Sequence, residues 1–130
     1  MRSVASACLL MSAVMGGVVP MGAYGEEVHT GVELAQQADE YLRTIVSVDQ
    51  PIDVVRAFRV AGFTSYTRGV LEAWTVNKAV CLPPKVSYGQ VYRTVALWLQ
   101  ARPQHLHKST HLLVFSALTE AFPCQLPKSQ

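Results

Sequence analysis

The 130-residue chain is half hydrophobic and carries eleven Lys and Arg against nine Asp and Glu, a net charge of +2. That near balance argues against nucleic acid, which rewards clustered positive charge, and against polybasic docking to a membrane. The length suits one domain, and a domain this small buries a limited core that a disulfide commonly supplements.

The first element expected is a secretory signal peptide over residues 1–25. Arg2 supplies its positive end, Val4 to Val19 is apolar and uncharged, and Ala23-Tyr24-Gly25 has small residues at the first and third positions of a cleavage site. The competing expectation, a membrane anchor, suits the run poorly. It is short for a span and is interrupted by Gly16-Gly17 and Pro20. Cleavage leaves a mature domain of residues 26–130 with ten basic and nine acidic side chains. No second long uncharged run follows, so stable membrane insertion is not expected.

The mature chain reads as all-α, a small four- to five-helix bundle with no internal repeat. Thr30-Gly31-Val32-Glu33 has the spacing of a capping box, and Leu34, Ala38, Tyr41, Leu42 and Ile45 then recur at three- and four-residue steps. A second helix is expected from near Pro51, since proline is tolerated in a first turn. Its expected buried face is Val55, Phe58, Gly62, Tyr66, Gly69, Val70, Ala73, Trp74 and Asn77. The two glycines either permit close helix approach or break the helix near Gly62. Pro83-Pro84 must leave the helix, and Ser87-Tyr88-Gly89-Gln90 repeats the capping-box logic. The third helix then carries Val91, Val95, Trp98 and Leu99 on one face and stops near Arg102-Pro103. A fourth, from His105 to Phe122, is apolar over most of its girth (Leu112 to Phe115, Ala117, Leu118) and is expected to be the most buried.

Of three cysteines, Cys8 lies in the leader, and an exported chain most simply pairs the other two, Cys81 and Cys124. The bridge would tie the start of the third helix to the end of the fourth.

Nothing reads as a catalytic centre or a cofactor site. His105, His107 and His111 are the one metal-like cluster, with His107 and His111 spaced to share a helix face, but no zincin glutamate lies between them. No Gly-x-Ser-x-Gly elbow is present. Glu72 and Glu120 are single acids suited to ion pairs, and Trp74, Tyr88, Tyr92 and Trp98 fall at helical spacing as core aromatics. The exposed candidates lie on the connection after the second helix. Lys78, Lys85, Ser87 and Tyr88 sit on a loop stiffened by two prolines and the expected disulfide, and a rigid loop loses little entropy on docking to a protein.

Several of these segments together resemble the Rap1a/Tai immunity family. They are Tyr66-x-x-Gly69-Val70, Cys81-Leu82-Pro83, Gln90, Trp98-Leu99 with Arg102-Pro103, Leu113-Val114, Ala117-Leu118 and Ala121-Phe122-Pro123-Cys124. The resemblance covers roughly residues 30–124. It implies a small exported helical protein, associated with type VI secretion, that binds a peptidoglycan amidase effector in the periplasm, blocks its cleft and catalyses nothing. A homodimer is plausible for so small a helical domain. Many relatives carry a further cysteine pair, and here Ala38 and Thr64 occupy those places. That departure leaves the first helix without a covalent anchor. Two other classes compete: an acid-stress chaperone of the HdeA type, which four histidines would suit, and a metal-dependent enzyme built on the histidine cluster.

Overall fold

The computed structural model describes residues 30–125. The signal-peptide segment therefore lies outside the described residues. Four α-helices follow in chain order: α1 Gly31–Val46, α2 Val54–Val76, α3 Tyr88–Gln100 and α4 Thr110–Ala121. A 3-10 turn at Pro103–His105 separates α3 from α4. Among the described residues, extended pairing is limited to two isolated bridges, Thr30 with Ser109 and Val80 with Pro123. No described helix is long and apolar enough to cross a membrane.

Helix α1 starts where the capping pattern places it, with Thr30 Oγ1 accepting from the Glu33 backbone N–H at 3.2 Å. Leu34, Ala38 and Tyr41 are buried, while Ile45 turns outward. Tyr41 fastens the helix to its neighbours. Its ring lies 5.5 Å from Phe63 and 6.1 Å edge-on to Tyr92, and its hydroxyl donates to the Gly89 carbonyl at 3.1 Å. Burial pushes the Tyr41 hydroxyl pKa up. Gly31 permits a close approach at the other end, because a Cβ there would collide with the Leu106 carbonyl and the Leu113 side chain. Helix α1 is thus anchored by packing, with Ala38 fully buried, and by the Tyr41 hydrogen bond.

Helix α2 differs from expectation at its start and in its face. It begins at Val54, after Asp53, whose carboxylate accepts from the Arg56 N–H at 2.9 Å. The side-chain cap, and not the proline, sets the boundary. The helix runs unbroken past Gly62 and Gly69. Its buried residues are Phe63, Thr67, Val70 and Leu71. Val55, Phe58, Gly62, Gly69, Ala73 and Asn77 are exposed, Phe58 by 75%. The reason is electrostatic as well as apolar. Arg56 and Arg59 both reach Glu40 of α1, at 3.1 and 3.7 Å. The rotation that brings Arg56 and Phe63 inward carries Phe58 out.

Helix α3 opens on a complete capping box, Ser87 with Gln90. It buries Val91, Val95, Ala96 and Leu99, with Trp98 half-buried against the core. Helix α4 is shorter than expected. Pro103 opens a 3-10 turn, in which the Leu106 N–H reaches the Pro103 carbonyl at 3.3 Å, and extended Ser109 pairs with Thr30 before the helix can start. From Thr110 it buries Leu113, Val114, Ala117 and Leu118 at the centre of the core, whereas Leu112 is 51% exposed.

Cys81 and Cys124 form a disulfide, with Cα atoms 4.8 Å apart. The Cys81 N–H also donates to the Phe122 carbonyl at 3.0 Å. The bridge ties the chain just past α2 to the chain just past α4, where the expectation put the start of α3.

Candidate functional site

The connection between α2 and α3 is built by a succession of local devices. At the end of α2, the Lys78 N–H donates to the Thr75 carbonyl at 3.1 Å and the Ala79 N–H to the Trp74 carbonyl at 3.0 Å. This pair of bonds is a Schellman closure, and it places Lys78 at the left-handed position that glycine usually fills. The Lys78 φ is 56°. Val80, fully buried, then pairs with Pro123, and the disulfide follows at once. Pro83 to Val86 makes a turn closed by the Val86 N–H on the Pro83 carbonyl at 3.3 Å. Lys85, at its third position, has φ 71°. Pro84 before a positive φ has the form of a type II turn, where glycine or asparagine is usual.

Both lysines singled out from the sequence therefore stand in backbone conformations that disfavour side chains. A non-glycine residue held left-handed costs roughly 1–2 kcal/mol. They are the only two non-glycine residues with positive φ among the described residues.

Ser87 and Tyr88 close the connection. Ser87 caps α3, accepting from the Gln90 N–H at 3.3 Å, while its own N–H donates to Gln90 Oε1 at 2.8 Å. Its hydroxyl thus shapes the surface from within. Tyr88 is 44% exposed, so it lies at the rim and not in the core as its spacing suggested. The Arg68 guanidinium lies 4.7 Å from the centre of its ring, Tyr92 stacks at 6.1 Å, and its hydroxyl donates to Glu72 at 3.3 Å. Arg68 and Glu72, one turn apart on α2, pair at 2.6 Å. The bond from Arg68 lowers the Glu72 carboxyl pKa, and the bond to Glu72 raises that of the Arg68 guanidinium. Burial raises the Tyr92 hydroxyl pKa.

Arg68, Glu72 and Tyr92 belong to this surface; reading the sequence passes over Arg68, makes Tyr92 a core aromatic, and gives Glu72 the ion pair it makes but not its place beside the loop. The signal was there in two four-residue spacings, 68–72 and 88–92. That the two pairs face each other is a property of the fold.

The histidine cluster does not assemble. His105 stacks on Trp98, His107 contacts the Gln104 carbonyl at 3.0 Å, and His111 lies against Trp74 and Phe115. His107 and His111 cannot share a helix face, because α4 starts at Thr110. Among the described residues, no three His, Cys, Asp or Glu side chains come together as metal ligands would. Glu120 is tied to Arg102 and accepts from the Trp98 indole N–H at 2.8 Å.

The surface is therefore a patch with two exposed lysines on a tightly bonded loop, in which Tyr88, Tyr92 and Arg68 are of the residue types that protein interfaces favour. No curated protein and no solved structure matches the chain. The sequence model of the Rap1a immunity proteins matches residues 30–124, almost the whole described structure, and the chain belongs to that family, an immunity protein whose partner is a toxin.

Proposed function

We propose that this protein is a periplasmic immunity protein that binds and inhibits a peptidoglycan amidase delivered by type VI secretion, and that Lys78, Lys85, Ser87 and Tyr88 form part of the contact. The observation that carries the surface is the pair of lysines held left-handed on a loop that a disulfide, a helix closure and a capping box keep rigid. Backbone strain that the surrounding structure over-determines concentrates at functional positions. The amidase and the periplasm are supported by the sequence resemblance described above, and a disulfide suits an oxidising compartment. Lys78, Lys85 and Tyr88 would touch the toxin, while Ser87 would hold Tyr88 in place. No catalytic residue is part of this reading. A second copy of the chain is the occupant we assign to the exposed stripe of α2, where Val55, Phe58 and Val76 flank Gly62 and Gly69 without a charge among them.

The test is to export tagged residues 26–130 into the periplasm of the native host and identify the stoichiometric partner at neutral pH. One dominant peptidoglycan amidase, whose hydrolysis of cell-wall sacculi stops at equimolar protein, is the expected result. Many partners held only in acid would replace this reading with a chaperone. Sedimentation of the parent and of Phe58→Ser tests the second copy, with a dimer for the parent and a monomer for the variant expected.

A further inference from the structure

We infer that the trough between the C-terminal half of α1 and the outer stripe of α3 is a second dock for the toxin, and that it takes a segment with an apolar centre and carboxylates at its edge. This rests on the toxin-binding reading above and names the chemistry of the partner's segment.

The trough has a volume of about 470 Å³. Leu42, Ile45, Val46 and Leu97 make its apolar lining, and Arg43 and Arg93 stand with it. Leu97 is 47% exposed in the middle of α3, a position where solvent gains nothing from a leucine.

Charge distinguishes this place from the rest of the surface. Among the described residues there are six arginines. Arg56 and Arg59 share Glu40, Arg68 holds Glu72, and Arg102 holds Glu120. The remaining two, Arg43 and Arg93, face no carboxylate at ion-pair distance among the described residues, and both are in the trough. The one acid beside them, Asp39, accepts from Gln100 at 2.7 Å. Arg43 also lies in the last turn of α1, where a cation favours the carbonyl end of the helix. Arg93 has no such local role, so it is the sharper indicator.

A second copy fits less well, because it has few carboxylates to offer. Among the described residues Glu40, Glu72 and Glu120 stand in ion pairs, Asp53 caps a helix, Glu33 is not free and Asp39 lies in the trough itself, which leaves the single exposed carboxylate of Asp49. A foreign segment with carboxylates around apolar side chains meets both the lining and the unpaired cations. The trough and the proposed contact loop share α3. Gly89, Arg93, Leu97 and Gln100 follow one another along one side of that helix at three- and four-residue steps, about a quarter-turn round from Tyr88 at its first turn. A toxin large enough to cover both faces of α3 can seat on the loop and reach the trough.

The test uses the full mature chain and the amidase it retains, with affinity read by calorimetry at low and high salt. Arg93→Glu and Leu97→Asp should each weaken binding at least about tenfold, and Arg93→Glu should flatten the salt dependence. Arg93→Lys should keep most of the affinity. Lys108→Glu, beside the opposite end of α1, is the control and should bind like the parent. Circular dichroism must show the same helix content for each variant that is scored. If Arg93→Glu and Leu97→Asp bind like the parent while Lys85→Glu or Tyr88→Ala weakens binding, the trough is not a dock and the toxin reading stands. If Leu97→Asp instead converts a dimer to a monomer with toxin affinity intact, the occupant is a second copy and the inference is overturned. If the chain retains no amidase, both readings fall together.

Discussion

The two connections that flank α2 are opposites. Residues 47–53, between α1 and α2, are held by two backbone hydrogen bonds, Ser47 N–H to the Arg43 carbonyl and Gln50 N–H to the Ser47 carbonyl, and by the side-chain cap at Asp53, and apolar Val48 and Ile52 face outward. Residues 77–87, between α2 and α3, carry a Schellman closure, a β-bridge, a disulfide, a tight turn and a reciprocal capping box. The first connection merely turns the chain round. The second sets two lysines and a tyrosine in fixed positions by many more devices. A surface that is already ordered loses little entropy when a partner arrives, and the greater number of devices on this side of α2 is what the proposed contact rests on.

The largest expected effect comes from removing the covalent member of that set. Replacing both Cys81 and Cys124 by serine opens a 43-residue loop and should cost about 4 kcal/mol in the chain-entropy account. Urea unfolding of the oxidised parent and the double variant measures it. A loss below 1 kcal/mol would mean that the hydrogen bonds and the bridge hold the second connection alone. Next comes Ser87→Ala, which removes one half of the capping box and should cost about 1 kcal/mol. Lys78→Gly should go the other way. Glycine relieves the left-handed strain, and the gain after its greater unfolded-state entropy should be about 0.5–1 kcal/mol. The same variant should bind toxin less well if the lysine is displayed for contact. A gain in melting temperature with unchanged affinity would reduce Lys78 to an ordinary helix end.

The smallest effect compares the two sides by acid. The Asp53 carboxyl pKa is lowered, chiefly by the Arg56 backbone N–H, and that of Glu72 chiefly by the Arg68 side chain. A group with a lowered folded pKa contributes stability that is present above its unfolded pKa and is lost as pH falls through the folded value. Each side of α2 should therefore weaken on acidification. Asp53→Asn keeps a good cap and Glu72→Gln keeps a hydrogen-bonding partner, so each should remove part of the acid sensitivity while changing neutral-pH stability little. Unfolding midpoints between neutral pH and the carboxylate range decide whether either side contributes.

Much of this arrangement was legible in the chain. Thr30, Ser87 and Gln90 announced two helix starts, because capping chemistry is local. The cysteine pair was legible from number and from the expectation of export. The core face of α1 followed from spacing, apart from Ile45. Helix α2 defeated the same method because it is apolar on two stripes. Val55, Phe58 and Ala73 recur at helical steps as convincingly as Phe63, Val70 and Leu71. The choice between them is made on other helices, by the core that receives Phe63, Val70 and Leu71 and by Glu40, which pairs with Arg56 and Arg59. The start of α4 was hidden for a similar reason. Thr30 holds Ser109 extended, and a partner nearly eighty residues away leaves no trace in local periodicity. At the candidate site the loop residues could be read from the chain, but their left-handed backbone and their aromatic and charged neighbours on α2 could not. Those depend on how α2 and α3 meet.

The disulfide has a consequence for timing. Its second half lies beyond α4, so the latch cannot close until every helix has been made. A chain threaded amino end first through a narrow channel remains a single unlinked strand throughout its passage, free to be pulled straight. Only after Cys124 has arrived can residues 81–124 close into a loop that resists unthreading. Placing the lock last would let an exported chain be pliable in transit and stiff once it has arrived.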